Sequence, residues 1–75
     1  MPGQANATDK LFVKLVGMGN AGEVDLGTLA EANGSHAGVK AFGRRMAQDH
    51  SATATKLSTA AKPAGIPVPQ RTTRP

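Results

Sequence analysis

The amino-acid sequence predicts an all-α fold: an antiparallel helical hairpin, half of a four-helix bundle, followed by a disordered Pro-rich tail. Two stretches carry apolar and small residues at helical spacing, and only two or three residues near Asn33-Gly34 separate them. Helices joined by so short a link must lie antiparallel. The prolines from Pro63 onward exclude further regular helix.

The first helix is predicted from about residue 8 to residue 33, after a disordered leader over residues 1–7. Asn6 or Thr8 is a suitable N-cap, and Asp9 is well placed in the first turn. Asn33-Gly34 then ends the helix, with glycine at the C-cap. The residues that repeat with the helical period are Phe12, Val16, Gly19, Glu23, Leu26 and Ala30.

The second helix is predicted from about residue 36 to residue 62, with Ser35 as its N-cap. Its repeating residues are Val39, Phe42, Met46, His50, Thr53, Leu57 and Ala60. The helical hairpin therefore comprises residues 8–62. Residues 63–75 form the disordered tail, which we expect to be extended and mobile.

The chain is small for an independent domain. A chain of 75 residues buries only about 60% of its unfolded surface. The sequence has no cysteine, so disulfides and thiolate metal sites are excluded, and its only aromatic residues are Phe12 and Phe42. We therefore expect a homo-oligomer, most simply a homodimer, or a missing second helical pair to complete burial.

The net charge of +4 is unevenly distributed along the chain. Residues 1–35 carry four acidic and two basic side chains, whereas residues 36–75 carry seven basic side chains against Asp49 alone. A basic half attracts nucleic acid or anionic lipid. However, no more than two basic residues are adjacent, and no aromatic residues are interleaved with them for base stacking. We therefore favour a solvated basic helix face and tail, and we expect no specific nucleic-acid partner.

Targeting signals are weak in this sequence. No apolar run approaches the roughly 20 residues of a membrane-spanning helix, so we expect no membrane span. Met1–Thr8 has neither the basic region nor the apolar region of a signal peptide. These features predict a cytoplasmic protein, or a mature form to which Met1 has been added.

A glycine motif offers an alternative function. Residues 17–22 match the G-x-G-x-x-G fingerprint of dinucleotide-binding loops, which would make the chain a nucleotide-binding fragment through Gly17–Gly22. The chain is too short for a doubly wound sheet, and no acidic residue stands about 20 residues further on at the end of a second strand. Glycines inside a helix cost about 1 kcal/mol each relative to alanine, unless they allow close approach of a partner helix. We favour a helix with close-packing glycines.

One candidate site lies on the two sets of residues that repeat with the helical period, which we call the stripes of the two helices. Glu23 interrupts the first stripe and His50 the second, at an axial offset of roughly 7 Å when counted from the turn at 1.5 Å per residue. Carboxylate and imidazole suit iron, manganese or zinc. The Glu-x-x-His pairs of bundle di-metal sites are absent, because Ala47 stands three residues before His50. We favour an arrangement without a cofactor, either a buried Glu–His ion pair or hydrogen bond, or a helix register that leaves both side chains at the rim. The alternative is a weak divalent-metal site formed across a dimer by Glu23, His50 and Asp49.

The sequence carries no set of nucleophile, base and orienting group. Ser51 adjoins His50, but neighbours in sequence on a helix do not face each other. The sequence therefore favours a non-enzymatic helical module that self-associates into a four-helix bundle.

Several segments together carry a family resemblance. They are Asp9 with Phe12, Ala21-Gly22-Glu23-Val24-Asp25-Leu26-Gly27-Thr28-Leu29-Ala30, Val39-Lys40-Ala41-Phe42-Gly43-Arg44-Arg45-Met46, Asp49-His50, Leu57, and Gly65-Ile66-Pro67. This pattern resembles a bacterial ferritin-like family of unknown function, whose members are described as predicted outer membrane proteins or putative exported proteins.

The resemblance covers residues 9–67. It implies an all-helical ferritin-like bundle, exported or periplasmic, with no established activity. Glu23, Asp49 and His50 lie at positions that match the family pattern. Members of that family continue for another helical pair and begin with a signal peptide, so the resemblance implies a truncated or short divergent relative.

Overall fold

The computed structural model describes residues 4–69, which form two long helices and one short turn. Helix α1 spans Ala7–Asn33, helix α2 spans Ala37–Ala61, and a 3-10 turn covers Lys62–Ala64. After a three-residue link, α2 returns antiparallel along α1. The predicted all-α hairpin is confirmed, and both helices begin and end within one residue of the predicted limits.

Helix α1 begins with a reciprocal pair of hydrogen bonds. The backbone N–H of Asp9 donates to Asn6 Oδ1 at 2.8 Å, and the backbone N–H of Asn6 donates to Asp9 Oδ2 at 3.1 Å. These two bonds satisfy donors that the first helical turn leaves free. Asn6, one of the two predicted caps, is therefore the N-cap of α1.

The link between the helices differs in detail from the prediction. Ser35 was predicted to cap α2, which is wrong: the N-cap is His36, whose Nδ1 accepts a hydrogen bond from the backbone N–H of Gly38 at 3.1 Å. Gly34 is the C-cap of α1, as predicted, but its φ is −68°, so no left-handed conformation requires glycine. Glycine is needed there for space, because a Cβ on Gly34 would lie 2.6 Å from the carbonyl oxygen of Ala30.

The two helices approach most closely where two glycines oppose each other. A Cβ on Gly43 would lie 2.7 Å from the carbonyl oxygen of Gly27 and 2.8 Å from the Cβ of Ala30. A Cβ on Gly27 would overlap the carbonyl oxygen of Gly43 and lie 3.0 Å from the backbone nitrogen of Ala47. Backbone therefore packs against backbone at this crossing, and only glycine fits at both positions.

The contact between the helices buries few apolar side chains. The buried positions of α1 are Val13, Gly17, Asn20 and Gly27, and those of α2 are Gly43 and Ala61. Among the described residues, only Val13 and Ala61 are buried hydrophobic side chains. The buried positions of α1 keep the predicted helical rhythm but lie on a different face from the predicted stripe.

Large apolar side chains point away from the contact between the helices. Those that are more than half exposed are Leu11, Phe12, Leu15, Leu26, Leu29, Val39 and Phe42. We call this set the outer apolar face. Its five α1 members fall within an arc of about 100° when residues are placed about 100° apart around the helix. The principal extents of 52 × 24 × 14 Å describe a slab that is two helices wide and one helix thick.

The chain after α2 turns back onto α1. Gly65 adopts the left-handed conformation with φ of 71°, and the backbone N–H of Ile66 donates to the carbonyl oxygen of Ala61 at 3.2 Å. Residues 66–69 have no regular secondary structure, yet Val68 and Pro69 lie against Gly17. The segment that was predicted to be mobile is thus packed on α1 up to Pro69. Residues 1–3 of the predicted leader and 70–75 of the predicted tail lie outside the described residues.

The close crossing generates a stability prediction. Replacing Gly27 or Gly43 with alanine should lower the free energy of unfolding by about 1–3 kcal/mol, because the new methyl group meets backbone atoms that cannot move aside. Gly19→Ala is the matched control: apart from its neighbours in α1, no atom of the described residues lies within 4 Å of the position of its Cβ. That change should raise stability by up to about 1 kcal/mol through helix propensity.

Urea unfolding followed by far-ultraviolet circular dichroism measures all three changes. Equal stabilities for Gly27→Ala and Gly19→Ala would contradict a steric requirement for glycine at the crossing.

Candidate functional site

A polar pair joins the two helices in the middle of the hairpin. His50 Nδ1 lies 3.0 Å from Asn20 Oδ1, within hydrogen-bond distance. Asn20 is only 5% exposed and His50 is half-buried. The prediction that His50 faces inward is therefore confirmed, but its hydrogen-bond partner is Asn20 of α1, and Asn20 was not singled out from the sequence.

The Asn20 side chain is not fully satisfied by this contact. When His50 Nδ1–H donates to Asn20 Oδ1, the second ring nitrogen, Nε2, keeps its lone pair. The Nδ2 of Asn20 is buried and has no hydrogen-bond partner among residues 4–69. Turning the amide over would pair Nδ2 with His50 and leave Oδ1 alone, so either orientation leaves one buried polar atom unpaired. An unpaired buried polar group costs about 1–3 kcal/mol and calls for an explanation.

Glu23 lies three residues after Asn20, less than one helical turn away, and its side chain is half-buried. In the described part of the chain, no hydrogen bond or ion pair joins Glu23 to His50. The predicted Glu–His hydrogen bond is thus replaced by the Asn20–His50 contact.

Asp49 points away from this pair. Its carboxylate accepts from Arg45 Nε, at 3.1 Å to each oxygen, within the same helix and at an exposed position. Such a surface pair between residues four apart contributes only about 0.3–0.5 kcal/mol. Over residues 4–69, no group of three or more His, Asp or Glu side chains is close enough to hold a metal ion. The metal site through Glu23, His50 and Asp49 stays a prediction that needs ligands from a second chain.

The glycine motif is part of a helix. Gly17–Gly22 lies in the middle of α1, whose N-terminus is at Ala7. Backbone N–H groups inside a helix are bonded to carbonyl groups four residues earlier, so they are not free to hold a pyrophosphate. Gly27 packs closely against the partner helix, as predicted for these glycines. Gly17 packs instead against Val68 and Pro69, and Gly19 faces open space.

A signal for Asn20 was present in the sequence. The set Val13, Gly17, Asn20, Val24 and Gly27 follows the same four–three rhythm as the predicted stripe. Small residues at these positions indicate the face that another helix can approach closely. The predicted stripe carries larger apolar residues, and it was therefore expected to be the contact face. In the structure, Phe12 and Leu26 of that stripe are exposed.

The fold and the polar pair define a small all-helical hairpin domain. The chain belongs to the family described as "Domain of unknown function (DUF4142)", whose model matches residues 1–75. No curated protein and no solved structure matches the chain. Neither helix of the described chain is long and apolar enough to cross a membrane.

Proposed function

We propose that this chain is a non-enzymatic association module that pairs with a second copy of itself to form a four-helix bundle. The observation that carries the proposal is the outer apolar face, whose seven large side chains are 55–66% exposed. Monomeric proteins rarely expose a contiguous apolar patch larger than about 300–600 Å². Covering this face on both copies would bury the surface that one hairpin leaves open.

The thickness of the hairpin supports the same conclusion. Stable domains contain at least two packed layers of secondary structure around one core. The hairpin is 14 Å thick, which is one helix with its side chains. A second hairpin laid on the outer apolar face supplies the missing layer.

The charge distribution favours a second copy as the occupant. Helix α1 carries four acidic and two basic side chains, and α2 carries four basic ones against Asp49. A symmetric pair in which α1 of one copy lies over α2 of the other sets a helix of net negative charge against one of net positive charge. The same patch then serves both copies, as two-fold symmetry requires.

A ferritin-like arrangement of the four helices and a periplasmic or exported location are further parts of this proposal. They rest on the residue pattern over 9–67 that resembles the ferritin-like family. The antiparallel hairpin with a short link is compatible with that bundle, in which hairpins provide neighbouring antiparallel helices.

Charge introduced on the outer apolar face tests the proposal. Leu26→Lys and Phe42→Lys should each shift the chain from dimer to monomer in sedimentation velocity, because pairing would bury an unpaired ammonium group. Ala52→Lys is the matched control: Ala52 is exposed on α2 and lies outside the outer apolar face. It should leave the mass distribution unchanged. A monomeric wild-type chain, or equal behaviour of all three variants, would exclude pairing through this face.

Metal binding across the dimer is the second candidate function, and one observation favours it. Donation from His50 Nδ1 to Asn20 leaves Nε2 available as a ligand, and metal-binding histidines are commonly oriented by donation from their other ring nitrogen. A second copy would add another Glu23, His50 and Asp49 to complete a site for iron, manganese or zinc.

Mass-spectrometric metal analysis tests this second function. Bound metal should be lost in His50→Ala and in Glu23→Ala. The control is His36→Asn, which removes the only other imidazole and keeps a side chain able to cap α2. If the wild-type dimer takes up no iron, manganese or zinc at micromolar concentration, the metal function is excluded while the pairing of helices is unaffected.

A further inference from the structure

We propose that the chain binds a long-chain monocarboxylate, an anion with an apolar tail, in a groove between the start of α1 and the segment that follows α2. One wall of the groove is α1, with Lys10 and Lys14, and the other is segment 65–69. We call it the lysine groove. Its volume of about 620 Å³ falls within the range of about 300–1,000 Å³ that is usual for small-molecule sites.

Two ammonium groups on one rim of the lysine groove suit a carboxylate. Lys10 and Lys14 lie four residues apart on α1, so their side chains start about 6 Å apart on the same face. Both are exposed, and neither forms an ion pair with any residue from 4 to 69. Their charges repel each other, and the positive end of α1, which begins at Ala7, adds to the repulsion. A bound anion would relieve this repulsion.

The opposite wall of the lysine groove is apolar. It is formed by Gly65, Ile66, Pro67, Val68 and Pro69. Ile66 and Val68 are half-buried, so part of each side chain remains open to a ligand. The methylene stems of the two lysines extend the apolar lining, while their ammonium groups reach the rim. The groove therefore offers charge at one edge and apolar surface along its length, which matches an anion with an apolar tail.

A third cation lies on the far side of the same segment. Lys62 lines a second groove of about 430 Å³ together with Ser58 and residues 65–68. Among the described residues that line the two grooves, none is acidic. A ligand that approaches segment 65–69 from either side therefore meets only positive charge, which favours an anion over a neutral or positive molecule.

The lysine groove stays open when the hairpin pairs through its outer apolar face. With residues placed about 100° apart around α1, the centre of Lys10, Lys14 and Gly17 lies about 140° from the centre of the outer apolar face. Val68 and Pro69 rest on Gly17 and so fix the apolar wall to the same side. Loss of pairing would therefore leave the groove intact, and loss of binding in the groove would leave pairing intact.

Isothermal titration calorimetry of the full chain with decanoate, below its micelle concentration, tests the proposal. The dissociation constant should fall about fourfold from hexanoate to octanoate and again from octanoate to decanoate, because each pair of added methylene groups is half-buried in an open groove. Decyltrimethylammonium has the same tail and the opposite charge. It should bind about tenfold more weakly than decanoate, because two charge attractions become repulsions.

Two substitutions test the role of the lysines. Lys10→Gln and Lys14→Gln should each weaken decanoate binding by about two- to fivefold, because each removes one exposed charge partner. Lys56→Gln is the matched control: Lys56 is exposed on α2 and lines neither groove. It makes the same change in net charge and should leave the affinity unchanged. Circular dichroism on each variant confirms that the helices remain folded.

Nuclear magnetic resonance spectra of the labelled backbone amides locate the bound decanoate. The amide signals of Lys10, Lys14 and Ile66 should shift until the site is saturated, whereas those of Leu26 and Phe42 should not move. Equal affinities for the wild-type chain and all three variants, or shifts confined to the outer apolar face, would overturn the proposal. Binding to vesicles of anionic phospholipid without any binding of free decanoate would also overturn it, since the groove would then serve a bilayer surface.

Discussion

The contact between Gly27 and Gly43 is the constraint on which the rest of this small structure depends. It brings the backbones of α1 and α2 together at two facing positions that carry no side chain. Dispersion contacts between closely packed backbone atoms are individually small but numerous, and they offset part of the cost of placing glycine in a helix. Close approach also leaves no room for leucine or phenylalanine between the helices. The large apolar residues must therefore lie elsewhere, and they lie on the outer apolar face.

This arrangement explains why the two sides of the hairpin differ. On one side, Val68 and Pro69 return over α1 at Gly17, and the neighbouring groove is lined by small and hydroxyl-bearing residues. On the other side, leucines and phenylalanines remain more than half exposed. The outer apolar face is the surface through which we propose that a second copy packs. A two-fold pair that uses the same patch on both copies is closed.

The element types and their limits could be predicted from the sequence, because the helical period, the Asn6 and Asp9 cap and the glycine before α2 are local signals. The face on which the helices meet could not be read in the same way. Phe12 and Leu26 are the largest residues in the hydrophobic pattern of α1. The contact depends instead on Gly27, Gly43 and Asn20, which contribute little to a hydrophobic pattern because they are small or polar. Likewise, the proline content predicted an extended tail, but the contact of Pro69 with Gly17 depends on space that only the folded helices create.

We propose that one hairpin is an incomplete core, which a second copy completes. The most direct measurement is the urea midpoint of wild-type unfolding as a function of chain concentration, followed by far-ultraviolet circular dichroism. Because dimer formation is linked to folding, the midpoint should rise steadily with concentration. A midpoint that stays constant over a hundredfold range of concentration, with a fully helical monomer at the lowest, would contradict the account.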